Sequence, residues 1–232
     1  MPAIKGLIFD FDGLILDTET PEYLSWLEIY REHSAHIEPQ EWATFLGTKG
    51  SVDFSLGLLE QRSQKPVHRQ EVEADYHRRA NHKILQQPIL PGVVDLLEEA
   101  FRSELKLAVA SSSPQDWVTK HLQRLELTKY FDHILCRDDV NHIKPHPELY
   151  QAAMDRLGLA PHEGIALEDS PNGIRSAVTA GLFCVAVPNP ISKQLDLSQA
   201  NFLANSLADL SLNKLIQLVG NNHQTVKYDY GR

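Results

Sequence analysis

Short apolar runs at residues 4–9, 105–110, 133–136, 164–167 and 183–187 alternate with stretches whose apolar residues recur at helical spacing. Strand-length runs alternating with helical patterns predict βα units around a parallel sheet. The helical stretches are explicit. Val93, Leu96, Leu97, Ala100 and Phe101 form one stripe, and Trp117, Val118, His121, Leu122 and Leu125 a second. A third, Leu149, Tyr150, Ala153, Met154 and Leu157, ends at Gly158, a predicted C-terminal cap. Thr20-Pro21, Ser113-Pro114, His146-Pro147 and Ser170-Pro171 read as helix starts, with proline at the first position and the preceding side chain as cap.

Residues 17–87 break the alternation, being rich in charge and helix formers without a strand pattern. They are predicted to form a small helical domain inserted after the first strand, leaving 1–16 and 88–232 as the α/β core. Trp26, Tyr30 and Trp42 are assigned to the core of that insert. The tail, 221–232, is polar and expected to be poorly ordered.

Composition narrows the partners. A net charge of -9 argues against nucleic acid, yet leaves room for a local anion site. No apolar run is long enough to span a bilayer, and the chain enters its first strand almost at once, leaving no room for a signal peptide. Cys136 and Cys184 stand in apolar stretches and read as buried free thiols. A cytoplasmic, monomeric protein is the expectation.

Four predicted strands end in reactive side chains: Asp10-Phe11-Asp12-Gly13, Ser111-Ser112-Ser113, Lys144 a few residues on from the third strand, and Glu168-Asp169-Ser170. In a parallel sheet these ends share one edge, where open α/β folds bind ligands. Carboxylates gathered there need a cation to stay ionised, and all-oxygen ligation suits Mg²⁺ paired with substrate phosphate. Hydroxyls, helix-start N–H groups and an ammonium suit phosphate oxygens. The set reads as phosphoryl transfer, with an aspartate able to act as nucleophile. Ser113 and Ser170 read as caps, Asp138-Asp139 as a solvated acidic loop, and none of the histidines is assigned to metal.

With these motifs and their spacing the chain resembles the haloacid dehalogenase superfamily, in the branch of β-phosphoglucomutase-like sugar phosphatases with a helical C1 cap. The resemblance covers nearly the whole chain. It implies a Rossmann-like core and an inserted α-helical cap domain. It implies Asp10 as nucleophile and Mg²⁺ ligand, and Asp12 as general acid/base and metal ligand through its backbone carbonyl. Ser111 and Lys144 would hold the phosphoryl group, Asp169 would bind Mg²⁺, and Glu168 would do so directly or through water. Thr18 matches a position near the hinge whose hydroxyl bonds near the acid/base.

The resemblance also separates hydrolysis from phosphoryl transfer between sugar positions. Where the mutase pattern has His, this chain has Glu22, and where the mutase has a phosphate-gripping Arg it has Gly50, with Lys49 beside it. Asp12 argues against carbon–halogen cleavage, because the dehalogenases lack the second aspartate. The expectation is therefore a Mg²⁺-dependent phosphatase acting on a small phosphorylated metabolite, with Ser112, Lys49, Arg78, Arg79 and Glu22 as candidate substrate contacts. A β-phosphoglucomutase-type mutase is the alternative, and a non-catalytic phosphometabolite-binding protein a more remote one.

Overall fold

The computed structural model describes residues 4–44 and 50–222, so Lys49 and the tail beyond 222 lie outside the described residues. In chain order the regular elements are β1 (Gly6–Phe9), α1 (Glu19–Glu32), α2 (Pro39–Ala43), α3 (Ser51–Arg62), α4 (Arg69–Ile84), α5 (Val93–Arg102), β2 (Lys106–Ala110), α6 (Gln115–Arg124), β3 (His133–Leu135), α7 (Glu148–Leu157), β4 (Gly164–Glu168), α8 (Pro171–Thr179), β5 (Phe183–Ala186), β6 (Phe202–Leu203) and α9 (Leu212–Asn222). All five expected strands form. The two-residue β6 was not expected; it is too short to show a period.

The strands form one parallel sheet in the order β3-β2-β1-β4-β5-β6. Side chains alternate between its faces. Leu7, Phe9, Leu107 and Val109 pack with α5, α6 and α9, whereas Ile8, Ala108, Ala110 and Ala166 pack with α7 and α8. Burial on both faces explains why these strands read as continuous apolar runs. The chain leaves β1 toward β2 and β3, then returns to place β4 on the other side of β1. That reversal opens a crevice at the carboxyl ends of β1 and β4.

Between β1 and β2 the described residues contain α1 to α5, of which α1 to α4 lie before Leu16's bridge partner Ile89, and no strand beyond isolated bridges. Leu16 makes an antiparallel bridge with Ile89, and the Leu90 N–H donates to the Ile15 carbonyl at 3.0 Å, so the outgoing and returning chains run side by side. Trp26, Tyr30 and Trp42 are buried as expected, with Trp26 stacked on Tyr76 at 4.4 Å between ring centroids.

The helix starts follow the expected device most closely at Ser170-Pro171. The Ser170 hydroxyl accepts from the Gly173 N–H at 3.2 Å with Pro171 at the first position. At α1 and α6 carboxylates accept instead. Asp17 accepts from the Thr20 N–H at 2.9 Å, inside a helix that has already begun at Glu19. Asp138 accepts from the Gln115 N–H at 2.6 Å, and Pro114 stands before the helix. α7 begins at Glu148, after Pro147, and its first N–H donates to His146 Nδ1 at 3.3 Å, so the side chain before the proline reaches the helix start. Asp138 and Asp139 are exposed as expected, but they form a short 3₁₀ turn in which Asp139 also accepts from the Cys136 N–H at 2.9 Å. Gly158 caps α7 in the left-handed conformation, and both cysteines are buried and free.

Candidate active site

β1 ends at Phe9, and the Asp10 N–H extends its pairing by donating to the Leu167 carbonyl at 2.9 Å. Phe9 and Phe11 are buried in the core, which fixes Asp10 and Asp12 at the sheet edge. Gly13 then turns the chain at φ +80°; a Cβ there would stand 2.4 Å from Asp169 Oδ2, so only glycine lets this turn pass the β4 carboxylate.

Asp169 follows β4 directly. Carboxylate oxygens of Asp10, Glu168 and Asp169 lie within 4.8 Å of one another, all buried. Lys144 Nζ is 2.8 Å from Asp10 Oδ1 and donates to Glu168 Oε1 at 2.5 Å. Tyr150 donates its hydroxyl to the same Glu168 oxygen at 2.6 Å. The other oxygen, Oε2, accepts from the Asp169 N–H, the Ser170 N–H and the Ser170 hydroxyl at 3.1, 3.4 and 3.3 Å. Both Glu168 oxygens are thus taken up in holding Lys144 and the β4–α8 turn.

The charges around this edge do not balance. Burial, then Glu168, pushes the Asp10 carboxyl up to about 7, against the pull of Lys144. Burial, then the charges of Glu19, Asp10 and Glu168, pushes Asp169 well above the carboxylate range. Burial works to lower Lys144, but the charges of Asp10 and Glu168 outweigh it and hold the ammonium protonated. One ammonium thus faces a surplus of carboxylates. Asp169 Oδ1 is moreover buried with no hydrogen-bond partner. An orphaned carboxylate oxygen among hard oxygen donors fits a divalent cation of the Mg²⁺ type.

Asp12 is held by the β2–α6 connection. Ser113 donates its hydroxyl to Asp12 Oδ2 at 2.6 Å, Trp117 Nε1–H donates to Oδ1 at 3.1 Å, and Ser111 Oγ donates to Oδ2 at 3.4 Å. Ser113 is not the expected cap of α6; Asp12 draws its hydroxyl away from the helix. The buried Ser111 hydroxyl also accepts from the Ser113 N–H at 3.0 Å. Ser112 Oγ is buried without a protein partner.

Above this edge lies a cavity of about 650 Å³. Asp10, Asp12, Thr18, Glu22, Ser112, Lys144 and Asp169 line it, joined by Gly50, Tyr76, Trp117 and Arg137. Ser111 and Glu168 support it from below. Two expected contacts are elsewhere. Arg79 is not a lining residue: it bonds both Glu32 oxygens at 2.8 and 2.9 Å and Asp75 at 2.6 Å. Arg78 is exposed and paired with Asp75. Lys49 lies outside the described residues.

Asn189, just beyond β5, joins the site unannounced. Its Nδ2 donates to Asp169 Oδ2 at 2.8 Å and Glu19 Oε2 at 2.6 Å, while its Oδ1 accepts from the Ile191 and Ser192 N–H groups at 2.8 and 2.9 Å. The signal was available: a polar residue at the end of a fifth parallel strand belongs on the same edge. Tyr150 and Trp117 lay hidden among the apolar residues of helical stripes.

The comparisons concern the family and the fold. The profile of the haloacid dehalogenase-like hydrolases matches residues 7–187. Protein YhcW of Bacillus subtilis (strain 168) is 38% identical over 213 residues, covering 92% of this chain and 96% of that protein. The phosphorylated carbohydrates phosphatase of Thermotoga maritima is 28% identical over 77% of this chain and 82% of its own length. Among solved structures, CbbY from Rhodobacter sphaeroides in complex with phosphate superposes with a TM-score of 0.70 at 27% identity, covering 91% of this chain and 99% of that one. With its parallel sheet, its acidic edge and a profile match across most of its length, the chain belongs to the haloacid dehalogenase-like hydrolases.

Proposed function

We propose that this hydrolase is a Mg²⁺-dependent phosphatase of small phosphorylated sugars or polyols, working through an aspartyl-phosphate on Asp10. The observation that carries the reading is the opposition of two carboxylates with different surroundings. Asp10 touches the Lys144 ammonium beside the buried acidic cluster, whereas Asp12 is held by neutral hydroxyl and indole donors. The first arrangement suits a nucleophile and the second an acid/base.

In this mechanism Lys144 and the Ser112 hydroxyl receive phosphoryl oxygens, Ser112 taking the part expected of Ser111, whose hydroxyl is engaged with Asp12 and the Ser113 N–H. The Asp10 carboxylate attacks phosphorus while the bond to the sugar oxygen breaks, and Asp12 gives its proton to that oxygen. Once the alcohol has left, Asp12 takes a proton from water as the water attacks phosphorus. The Asp10–phosphorus bond then breaks, releasing phosphate and restoring both carboxyl groups. Asp10 and Asp169 would hold Mg²⁺, joined by the Asp12 carbonyl, and Glu168 anchors Lys144. When bound, the ion neutralises the carboxylates and offsets charge on the transferring group.

Residues 17–87 are proposed as a cap that closes over the edge and excludes water until substrate is seated. Glu22 and Gly50 both line the cavity, and a side chain added at Gly50 would meet nothing within 4 Å. No cation at either position is available to grip a second phosphate, which favours monophosphates. The test is a panel of hexose, pentose and hexitol monophosphates with Mg²⁺. Release of inorganic phosphate, abolished by chelator and by Asp10→Asn, is expected. Bisphosphate-dependent conversion of β-glucose 1-phosphate to glucose 6-phosphate with little free phosphate would overturn it.

A further inference from the structure

Two histidines that carry no part of the phosphatase reading converge on one carboxylate. His142 and His146 flank Lys144 in the turn leading into α7, and Glu148 is the first residue of that helix. One nitrogen from each histidine and one oxygen from Glu148 lie within 4.8 Å of one another. Glu148 Oε2 is 2.9 Å from His142 Nδ1 and 3.8 Å from His146 Nδ1. The two rings stand 4.6 Å apart, tilted by 36°.

These separations match what an ion demands. Zinc bonds of about 2.0–2.1 Å in tetrahedral geometry place neighbouring ligand atoms about 3.3 Å apart. The two carboxylate–imidazole separations, 2.9 and 3.8 Å, bracket that spacing.

The group is also built in advance. Glu148 accepts from the Asn141 N–H at 2.8 Å and from the His142 N–H at 3.0 Å, which fixes its carboxylate beneath the rings. These bonds, with the one to the His142 side chain, hold it below the usual glutamate range. The His146 carbonyl is pinned by the Ser176 hydroxyl at 2.7 Å. The Glu148 N–H donates to His146 Nδ1 at 3.3 Å, which marks that nitrogen as the unprotonated one; an ion would displace this long bond to take its lone pair. Both imidazoles are half exposed and open to an ion arriving from water.

We propose that His142, His146 and Glu148 form a site for a borderline transition-metal ion, Zn²⁺ in class, separate from the acidic edge that suits Mg²⁺. Two imidazoles and one carboxylate select Zn²⁺, Co²⁺ or Ni²⁺ over hard cations, and three protein ligands leave one position for water. His142 then carries its proton on the outward Nε2. An ion here ties both shoulders of the turn that presents Lys144, two residues to either side of it.

Co²⁺ is the probe, because its visible absorption reports ligand type and coordination number. The full chain, saturated with Mg²⁺ to occupy the acidic edge, is titrated with Co²⁺ and then challenged with Zn²⁺. The expected result is one Co²⁺ per chain with a visible band that Zn²⁺ bleaches, and a melting temperature raised by Zn²⁺. His146→Asn should weaken binding by about tenfold or more. The His142→Asn/His146→Asn double variant should lose the band and the Zn²⁺-dependent rise while keeping the metal-free melting temperature and Mg²⁺-dependent turnover. A band unchanged in the double variant would place the ion elsewhere and overturn the proposal, as would no band in the unaltered chain.

Discussion

The Asn189 amide nitrogen lies 2.8 Å from Asp169 Oδ2, and the same nitrogen reaches Glu19 Oε2 at 2.6 Å. One neutral amide thereby separates two buried carboxyl groups from different ends of the chain. It also directs the other Asp169 oxygen, which has no partner, toward the acidic edge. Partners that orient a metal-binding carboxylate are worth about 10- to 100-fold in metal affinity. Asn189→Ala should raise the Mg²⁺ concentration for half-maximal activity by that factor, with little change in kcat at saturating Mg²⁺. A Mg²⁺ titration of turnover checks this; an unchanged midpoint would remove Asn189 from the ion's surroundings.

Lys144 is the positive charge between Asp10 and Glu168. Removing one partner of a buried ionic group costs about 3–5 kcal/mol. Lys144→Met should therefore lower the melting temperature sharply and abolish turnover. Adding Glu168→Gln removes one of the stranded charges and should recover much of the stability without activity. Thermal melts of the three proteins at neutral pH give the answer.

Glu22 gives the chain a pH signature. Burial, then the charges of Asp12 and Asp17, pushes its carboxyl up from 4.5 to about 8. Between those values the folded chain keeps a proton that the unfolded chain has released. Glu22 therefore costs progressively more stability as pH rises through that window, and the cost levels off above it. Cavity water screens the effect to about 1 kcal/mol, or about 2–4 °C in melting temperature. Glu22→Gln should melt higher than the unaltered chain at pH 8 and together with it below pH 5.

Trp117 and Ser113 set the direction of Asp12. A hydrogen bond to a charged group is worth about 1.5–3 kcal/mol, equivalent to about 10- to 100-fold in rate if lost only at the transition state. Trp117→Phe keeps the ring packed against His121 but removes the donor. It should lower kcat by about tenfold with KM nearly unchanged. A parallel rise in KM with constant kcat would assign Trp117 to substrate binding alone.

What could be read from the chain follows from how locally each feature is encoded. β1, β2, β4 and β5 are buried on both faces, so each is a continuous apolar run bounded by turns. The residues at their ends follow by topology alone. Side chains that reach the site from inside helices are different. Tyr150 and Trp117 occupy positions that any core residue could fill, and only the fold aims their polar ends at Glu168 and Asp12. Arg79 shows the opposite failure. A cation in the inserted helices suggested a phosphate contact, yet three carboxylates on α1 and α4 claim it first. The His142–His146–Glu148 cluster escaped notice because a bare His-x3-His pair carries little weight without a third ligand, and its convergence with Glu148 depends on the turn around Lys144.

The pairing of Leu16 with Ile89 has a wider meaning. Because the chain departs and re-enters at neighbouring points, everything between those points hangs from the sheet as a pendant, and its length does not disturb the strand order. On the proposed division of labour, the bond-breaking groups stay with the sheet while most of the surface that screens substrates belongs to the pendant. Insertions, deletions and exchanges there can retune which molecule is accepted without rebuilding the edge that acts on it. A single sheet edge can in this way be paired with different screens.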